Sequence, residues 1–220
     1  MNRGEERNYW LAVGILRFIC RLNGTKVIGA ENIPADEPLL VISNHTSLAD
    51  PPVISSFYPG RITYIAKEGF SRNPFTRRLF SALGAVFLSK DDGDLAAMRV
   101  ALNELKSGHS VGVFPEGHRY FDQQLGEFHD GAAFIACRAK VRVLPVAVVN
   151  TADYLRLRRR NIRLVIGEPL PAPEGRPDRE LLARTTTRYR EIIAGLFRQG
   201  AESVQADGRK MYVTDRVRND

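Results

Sequence analysis

Short apolar runs alternate with amphipathic stretches along most of the chain after residue 24. This alternation of strand-like and helix-like segments is typical of an α/β domain. We expect strands in the segments "TKVIGA", "LLVIS", "RITYIAK", "SVGVF", "VRVLPVAVV" and "NIRLVIG". A chain of 220 residues fits one such domain better than two small ones.

Helices are indicated by the spacing of apolar residues and by residues that favour helix ends. Asp50 precedes a proline and predicts the start of one helix, for which it is a candidate cap. Apolar residues at helical spacing predict a second helix over 94–108, and "AAFIACRAK" predicts a short one. A last helix is expected over about 178–197, followed after Gly200 by a polar tail that can be partly disordered.

The first 24 residues are more apolar than a surface helix requires. Early acidic residues, Arg17 within the apolar run and the lack of a small-x-small cleavage site argue against a signal peptide. The run is shorter than the roughly 20 apolar residues of a spanning helix. We therefore expect an amphipathic helix in the membrane interface, and the alternative is a helix docked on the protein's own core.

Charge is the one unusual feature of the composition. The chain has 44% hydrophobic and 26% charged residues, which is ordinary for a globular protein, but its net charge is +7. Such a charge favours a polyanionic partner: nucleic acid, an anionic membrane or a phosphorylated substrate. The basic run 156–163 lacks a nucleic-acid fold signature, so a solvated or membrane-facing patch is the better interpretation.

Polar clusters follow or flank several predicted strands, where α/β folds place their ligand sites. The clusters are "NHTSLAD", "LSKDDGD" and "FPEGHRY". In the first, His45 is a candidate general base, because imidazole accepts a proton near neutral pH when a partner fixes its tautomer. Asp50 is that candidate partner, provided that a turn rather than a continuous helix joins the two; alternatively it only caps the helix.

The "PEGHR" segment places a carboxylate, a glycine and a guanidinium in one tight loop. Glu116 and Arg119 could grip an anion or a hydroxyl-bearing head group there, because arginine presents a two-point fork to phosphate. The alternative is a solvated turn with a surface ion pair of little energetic value.

Several other kinds of site find no support in the chain. There is no GxSxG, P-loop or GxGxxG motif. Cys20 and Cys137 lack the spacing of a metal site, so we expect neither a metal nor a disulfide, and a reduced cytosolic environment.

Taken together, the motifs resemble those of the PlsC-like glycerolipid acyltransferase family. "NHTSLAD" is similar to its NHx4D block and "FPEGHR" to its FPEG(T/S)R block, while "GAVFLSK" and "VLPVAV" occupy the places of two further blocks. The order and spacing agree over roughly residues 25–170. The resemblance implies a single α/β domain with a mixed central sheet flanked by helices, over residues 25–200. The interfacial helix would occupy residues 1–24 and the polar tail residues 201–220.

The resemblance also implies roles for individual residues. His45 would remove the proton of an acceptor hydroxyl, and Asp50 would orient and stabilise its imidazole. The residues that would bind the acceptor lie at the "GAVFLSK" and "FPEGHR" segments: Lys90, Glu116, Gly117, His118 and Arg119. The donor would be acyl-CoA or acyl-carrier protein as co-substrate, with no resident cofactor and no acyl-enzyme. Partners would be a lyso-lipid and an anionic membrane, at whose cytoplasmic face the protein would be peripheral or monotopic.

Departures from the family pattern concern the acceptor side. Ser89 and Lys90 stand where Asp-Arg is usual, and His118 replaces threonine or serine. Lysine keeps the charge of arginine but loses its planar grip on phosphate. The alternatives are therefore an acyltransferase for another polar lyso-lipid or a small metabolite, or a non-catalytic lipid-binding protein. A nucleic-acid binder is the least favoured.

Overall fold

Seven strands and six helices alternate along the part of the chain described by the computed structural model, which comprises residues 3–67, 74–89, 93–120, 124–151, 162–209 and 211. The strands are β1 (Lys26–Ile28), β2 (Leu40–Ser43), β3 (Ile62–Lys67), β4 (Ala85–Leu88), β5 (Ser110–Val113), β6 (Val143–Val149) and β7 (Arg163–Ile166). The helices are α1 (Arg3–Leu22), α2 (Asp50–Phe57), α3 (Pro74–Ala82), α4 (Gly93–Lys106), α5 (Gly131–Ala139) and α6 (Arg179–Ala206), and a 3-10 turn spans Ala30–Asn32.

All seven strands form one sheet in the order β1-β7-β6-β2-β5-β3-β4. Neighbouring strands are parallel except β6 and β7, which are antiparallel. The predicted mixed central sheet flanked by helices is confirmed. Because β2 lies between β5 and β6 and is parallel to both, the residues that follow these three strands meet at one edge of the sheet.

The central strands β2, β5 and β6 are predominantly apolar, as expected for a sheet that helices cover on both faces. Leu40 and Ile42 of β2 join a core cluster with residues of α4, α5 and α6. Leu39, just before β2, and Val41 join the opposite cluster, which includes Ile54 of α2. The period-2 alternation of β2 thus buries successive side chains on opposite faces.

Helix α1 docks one face on the domain and leaves an apolar face outside. Its inner face buries Tyr9, Val13 and Cys20, and the Arg17 guanidinium donates a hydrogen bond to the Ser56 carbonyl of α2. Four apolar side chains form the outer stripe, each more than half exposed: Leu11, Ile15, Phe18 and Leu22. Docking on the protein's own core therefore explains the apolar residues on one face of α1 but not those on its outer face. None of the described helices combines the length and apolarity needed to cross a bilayer.

Some element boundaries differ from those expected. The sequence pattern does not predict helix α3 or strand β4. Helix α4 begins at Gly93, one residue before Asp94. Helix α6 continues through Ala206, so residues 201–206 are helical rather than part of a loose tail. The reason is that Val204 is fully buried and extends the apolar stripe of the helix. The predicted start of this helix is right, because the Asp178 side chain accepts a hydrogen bond from the Leu181 N–H.

The basic run does not form one solvated patch. Arg163, its last member, has no exposed surface and belongs to β7. Its guanidinium forms an ion pair with Asp207 and donates to Ser203 Oγ at 2.9 Å. Residues 156–161 lie outside the described residues. The expectation of a solvated arginine is therefore wrong at 163, where a partner 44 positions away makes burial possible.

Candidate active site

The turn between β2 and α2 closes on the carboxylate of Asp50. His45 Nδ1 lies 2.8 Å from Asp50 Oδ2, and the backbone N–H groups of Thr46 and Ser47 donate to the same oxygen at 2.7 and 2.8 Å. Asp50 has no exposed surface. Residues five apart meet because the chain turns before the helix begins, as the proposed pairing requires.

Asp50 does not cap helix α2 with its side chain. The capping position is Ala49, and Asp50 is already the first helical residue, followed by proline. Its carboxylate accepts hydrogen bonds from the turn that precedes the helix rather than from N–H groups within it. The capping role expected for Asp50 is therefore wrong, and its side chain is committed to the turn and to His45.

The second oxygen of Asp50 is held from another strand. Thr151 lies two residues beyond the end of β6, and its hydroxyl contacts Asp50 Oδ1. Thr46 Oγ1 lies 2.8 Å from Thr151 Oγ1, so the two hydroxyls form a short chain that ends on the carboxylate. The sequence interpretation missed Thr151. The signal that could have revealed it is a hydroxyl residue two positions after a buried strand.

The imidazole of His45 is packed on one face and open at one nitrogen. The ring of Phe114 stacks on it with centroids 4.0 Å apart, and the Tyr64 ring stacks behind Phe114 at 5.9 Å. The His45 side chain keeps 16% of its surface exposed. Within the described residues no hydrogen-bond partner is found for Nε2. This nitrogen is the one available to a substrate.

The loop after β5 holds the backbone of His45 on both sides. The His45 N–H donates to Glu116 Oε2 at 2.9 Å, and the Tyr120 N–H donates to the His45 carbonyl at 2.8 Å. The Gly126 N–H donates to the other Glu116 oxygen at 3.2 Å. The motifs that contain His45 and Glu116 therefore form one structural unit.

Glu116 is buried beneath this loop and does not face a substrate. Its side chain has no exposed surface, and burial raises the pKa of its carboxyl group to about 7. The hydrogen bonds from His45 and Gly126 act in the opposite direction, and the nearby charge of Asp50 adds to the increase. The expected contact between Glu116 and an acceptor is therefore not available in this conformation; the carboxylate positions His45 instead.

The remaining predicted acceptor residues lie on the exposed part of the same loop. Gly117 adopts φ +70°, a left-handed conformation that favours glycine, and His118 is exposed with its ring 4.5 Å from that of Tyr120. Arg119 is half-buried. Lys90 lies outside the described residues. The structure thus brings Gly117, His118 and Arg119 beside His45.

A side-chain amide extends the sheet at the site. Asn44 Nδ2 donates to the Val148 carbonyl, and Asn44 Oδ1 accepts from the Val148 N–H, both at 2.9 Å. The last regular pair between β2 and β6 is Ser43 with Val146, so Asn44 continues the ladder with its side chain in place of its backbone. It fixes the chain direction directly before His45. Among the described residues no group of three or more His, Cys, Asp or Glu side chains could hold a metal ion.

Comparison with known proteins places this geometry in a family. The family model described as Acyltransferase matches residues 24–149. The 1-acyl-sn-glycerol-3-phosphate acyltransferase of Borreliella burgdorferi is 28% identical over 60% of this chain and 55% of its own length. The chloroplastic enzyme LPAT1 of Arabidopsis thaliana is 30% identical over 73% of this chain and 46% of its own. The chain thus spans about half the length of these two relatives.

Two further relatives match almost end to end. The 1-acyl-sn-glycerol-3-phosphate acyltransferase of Bacillus subtilis is 26% identical over 86% of this chain and 96% of its own. The crystal structure of the acyltransferase PlsC from Thermotoga maritima superposes with a TM-score of 0.68 at 30% identity, covering 94% of this chain and 84% of that one. The family match, the shared fold and the motif pair agree: the chain belongs to the acyltransferase family.

Proposed function

We propose that this protein transfers a fatty acyl group from a thioester donor to the hydroxyl of a lysophospholipid-like acceptor, with His45 as the general base. The observation that carries the proposal is the 2.8 Å contact between His45 Nδ1 and the buried Asp50 carboxylate. A carboxylate only accepts hydrogen bonds, so the proton of the neutral imidazole belongs on Nδ1. Nε2 then carries the lone pair that a base needs.

The transfer proceeds without a covalent enzyme intermediate. Nε2 of His45 takes the proton of the acceptor hydroxyl, while the hydroxyl oxygen forms a bond to the carbonyl carbon of the thioester. The carbon–sulfur bond then breaks, and the imidazolium returns its proton to the thiolate. The products are an ester and a free thiol. Asp50 stabilises the imidazolium during the interval in which it is charged.

For the acceptor, the default is 1-acyl-sn-glycerol-3-phosphate, which appears in the names of the relatives. The loop that carries Gly117, His118 and Arg119 is joined to the His45 backbone through Tyr120, so a head group bound there would lie beside the base. Arg119 is the proposed phosphate ligand, with Lys90 as a second cation. The donor is acyl-CoA or acyl-carrier protein, and the pathway is phospholipid biosynthesis.

The proposed site of action is the cytoplasmic face of a membrane, where the protein is peripheral or monotopic. The outer stripe of α1 supplies apolar side chains for the interface, and the net charge of +7 favours anionic lipids. A lyso-lipid acceptor is drawn from that same interface. This arrangement would present the acceptor hydroxyl without extraction of the lipid into water.

The test is turnover of purified protein with acyl-CoA or acyl-carrier protein against 1-acyl-sn-glycerol-3-phosphate and a phosphate-free monoacylglycerol, with products identified by mass spectrometry. His45→Ala is expected to reduce turnover by at least about 10³-fold. The matched control is His109→Ala, which changes an exposed histidine that contacts Glu104.

Each alternative has its own outcome in this assay. Near-normal turnover by His45→Ala protein would rule out the general-base role. Transfer to the phosphate-free acceptor alone would identify an acyltransferase for another polar lipid. If no thioester is consumed with any acceptor while lipid vesicles are still bound, the protein is a lipid-binding protein without this activity.

A further inference from the structure

Strand β6 and the short segment after it hold the catalytic turn at two points. At the start of the turn, Asn44 is tied to Val148 by the pair of 2.9 Å hydrogen bonds. At its end, Asp50 is tied to Thr151 by the hydroxyl that contacts Oδ1. Thr151 has no exposed surface, and 101 positions in sequence separate it from Asp50. The second tie thus connects the carboxylate directly to the chain that leaves the centre of the sheet.

The direction of each hydrogen bond in the hydroxyl chain follows from proton counting. An ionised carboxylate only accepts, so the single hydroxyl proton of Thr151 is donated to Asp50. In the 2.8 Å hydrogen bond between Thr46 Oγ1 and Thr151 Oγ1, the donor must then be Thr46. The result is an ordered chain from Thr46 through Thr151 to Asp50.

The two oxygens of Asp50 are anchored in different ways. Oδ2 accepts from His45 Nδ1 and from the N–H groups of Thr46 and Ser47, all of which belong to the same turn as Asp50. Such local donors can shift together with the turn. Oδ1 is held by Thr151, which lies outside the turn, while Thr46 Oγ1 is a distant 3.5 Å away. Thr151 therefore supplies the direct hydrogen bond that orients the carboxylate itself from outside the turn.

We propose that Thr151 is a positioning residue for the transfer reaction: its hydroxyl fixes the plane of the Asp50 carboxylate and, through it, the imidazole of His45. The inference rests on the proposed role of His45 as base. Loss of the hydroxyl leaves Oδ1 with only the 3.5 Å contact from Thr46 Oγ1, which belongs to the turn itself, and lets the carboxylate rotate. Misplacement of a base by a fraction of an ångström is expected to slow the chemical step without weakening substrate binding.

The kinetic test compares Thr151→Val, which keeps the shape and removes the hydroxyl, with Thr151→Ser, which keeps the hydroxyl. Thr151→Val is expected to lower kcat by about 10- to 100-fold with KM within about twofold, whereas Thr151→Ser stays within about threefold of wild type. Thr187→Val is the matched control, because this hydroxyl is on the exposed surface of α6 and bonds only locally to the Ala183 carbonyl.

A second readout does not depend on turnover. In protein labelled with ¹⁵N-histidine, the Nδ1–H resonance of His45 is assigned by its absence in His45→Ala protein. The resonance is expected to be sharp in wild-type and Thr151→Ser protein, and broadened by exchange in Thr151→Val protein. If the wild-type protein transfers no acyl group, the proposed function fails while this signal still reports the positioning role.

Three results would overturn the proposal. They are wild-type kcat in folded Thr151→Val protein, equal impairment in the valine and serine variants, and an unchanged Nδ1–H signal in Thr151→Val protein. Circular dichroism establishes folding. If Thr151→Val protein does not fold, Thr151→Ala removes the same hydroxyl with a smaller side chain; wild-type kcat and an unaltered Nδ1–H resonance in that variant would equally overturn the proposal.

Discussion

Glu116 and His45 are joined by a hydrogen bond of 2.9 Å from the His45 backbone N–H to the Glu116 carboxylate. The bond links the loop after β5 to the turn after β2, which are 71 positions apart in sequence. Glu116 thereby holds the backbone of His45, the proposed base, while the part of its loop that carries Gly117 and His118 is exposed. Its burial and its two backbone donors lead to a prediction for stability.

Replacement of Glu116 by glutamine is expected to reduce the free energy of unfolding by about 1–3 kcal/mol at about pH 4, where the buried carboxyl group is protonated and both of its oxygens can still accept hydrogen bonds. Glutamine supplies one oxygen, so its amide NH₂ must face the N–H of either His45 or Gly126. Chemical denaturation measures the change. Glu127→Gln, an exposed substitution, is the control and is expected to have little effect.

The difference in unfolding free energy between wild-type and Glu116→Gln protein is expected to depend on pH. The Glu116 carboxyl has a pKa of about 7 in the folded protein and an ordinary value of 4.5. The folded state therefore binds more protons between these values, and the stabilisation present below pH 4.5 is lost as the pH rises through 7. The advantage of wild type over Glu116→Gln should shrink by the order of 3 kcal/mol over this range. An advantage that is constant with pH would contradict the raised pKa.

Replacement of Asp50 by asparagine is expected to lower turnover by at least about 10³-fold and to preserve the fold. The asparagine oxygen can still accept from the turn, while its NH₂ faces the Thr151 hydroxyl, which can accept instead of donate. What is lost is the negative charge that stabilises the imidazolium. Steady-state kinetics and thermal unfolding separate the two effects.

The control for Asp50→Asn is Asp178→Asn at the start of α6. Asparagine caps a helix about as well as aspartate, so this variant is expected to keep both its stability and its turnover. If Asp50→Asn protein turned over near the wild-type rate, the negative charge of Asp50 would not be needed for the reaction.

Gly112 is expected to be essential for the ring stack beneath His45. A Cβ atom at this position of β5 would lie 2.1 Å from Tyr64 Cε1, and the Tyr64 ring stacks on Phe114, which in turn stacks on His45. Gly112→Ala should therefore cost about 1–3 kcal/mol of stability and lower kcat by displacing the imidazole.

The matched control is Gly195→Ala in α6, where no neighbouring atom would contact the added Cβ. That variant should gain about 0.5–1 kcal/mol, because alanine favours a helix over glycine, and its turnover should be unchanged. Equal kcat values in the two alanine variants would show that the ring stack does not position His45.

The outer stripe of α1 is expected to bind the membrane. The triple variant Leu11→Gln, Ile15→Gln, Phe18→Gln changes only exposed side chains of the stripe and keeps the docked face intact. Partitioning of apolar side chains contributes about 1.5–3 kcal/mol per fully buried residue, so binding to anionic vesicles should weaken at least about tenfold. Sedimentation with vesicles measures this binding.

Leu95→Gln is the control for the stripe, because Leu95 is a highly exposed apolar residue of α4. Turnover with detergent-dispersed acceptor should be unchanged in both variants. Unaltered vesicle binding by the triple variant would exclude the stripe as the membrane contact.

The linear pattern of residues was sufficient for the class of fold, for most strands and for the contact between His45 and Asp50. Strands such as β2 and β6 are fully buried, so their apolar runs stand out from the turns on either side. β4 is less distinct because it is an edge strand whose four residues are only half-buried. His45 and Asp50 belong to one turn, so local geometry alone brings them together.

Contacts between distant segments were decided by the tertiary structure. Placement of β2 between β5 and β6 brings Glu116 and Thr151 to the two sides of the His45 turn, and no local pattern encodes that order. The same applies to Arg163, whose charge predicts exposure and whose burial depends on Asp207 at the end of α6. Local periodicity reports which side chains are buried, whereas strand order and register determine which buried groups meet, because those depend on the packing of the whole chain.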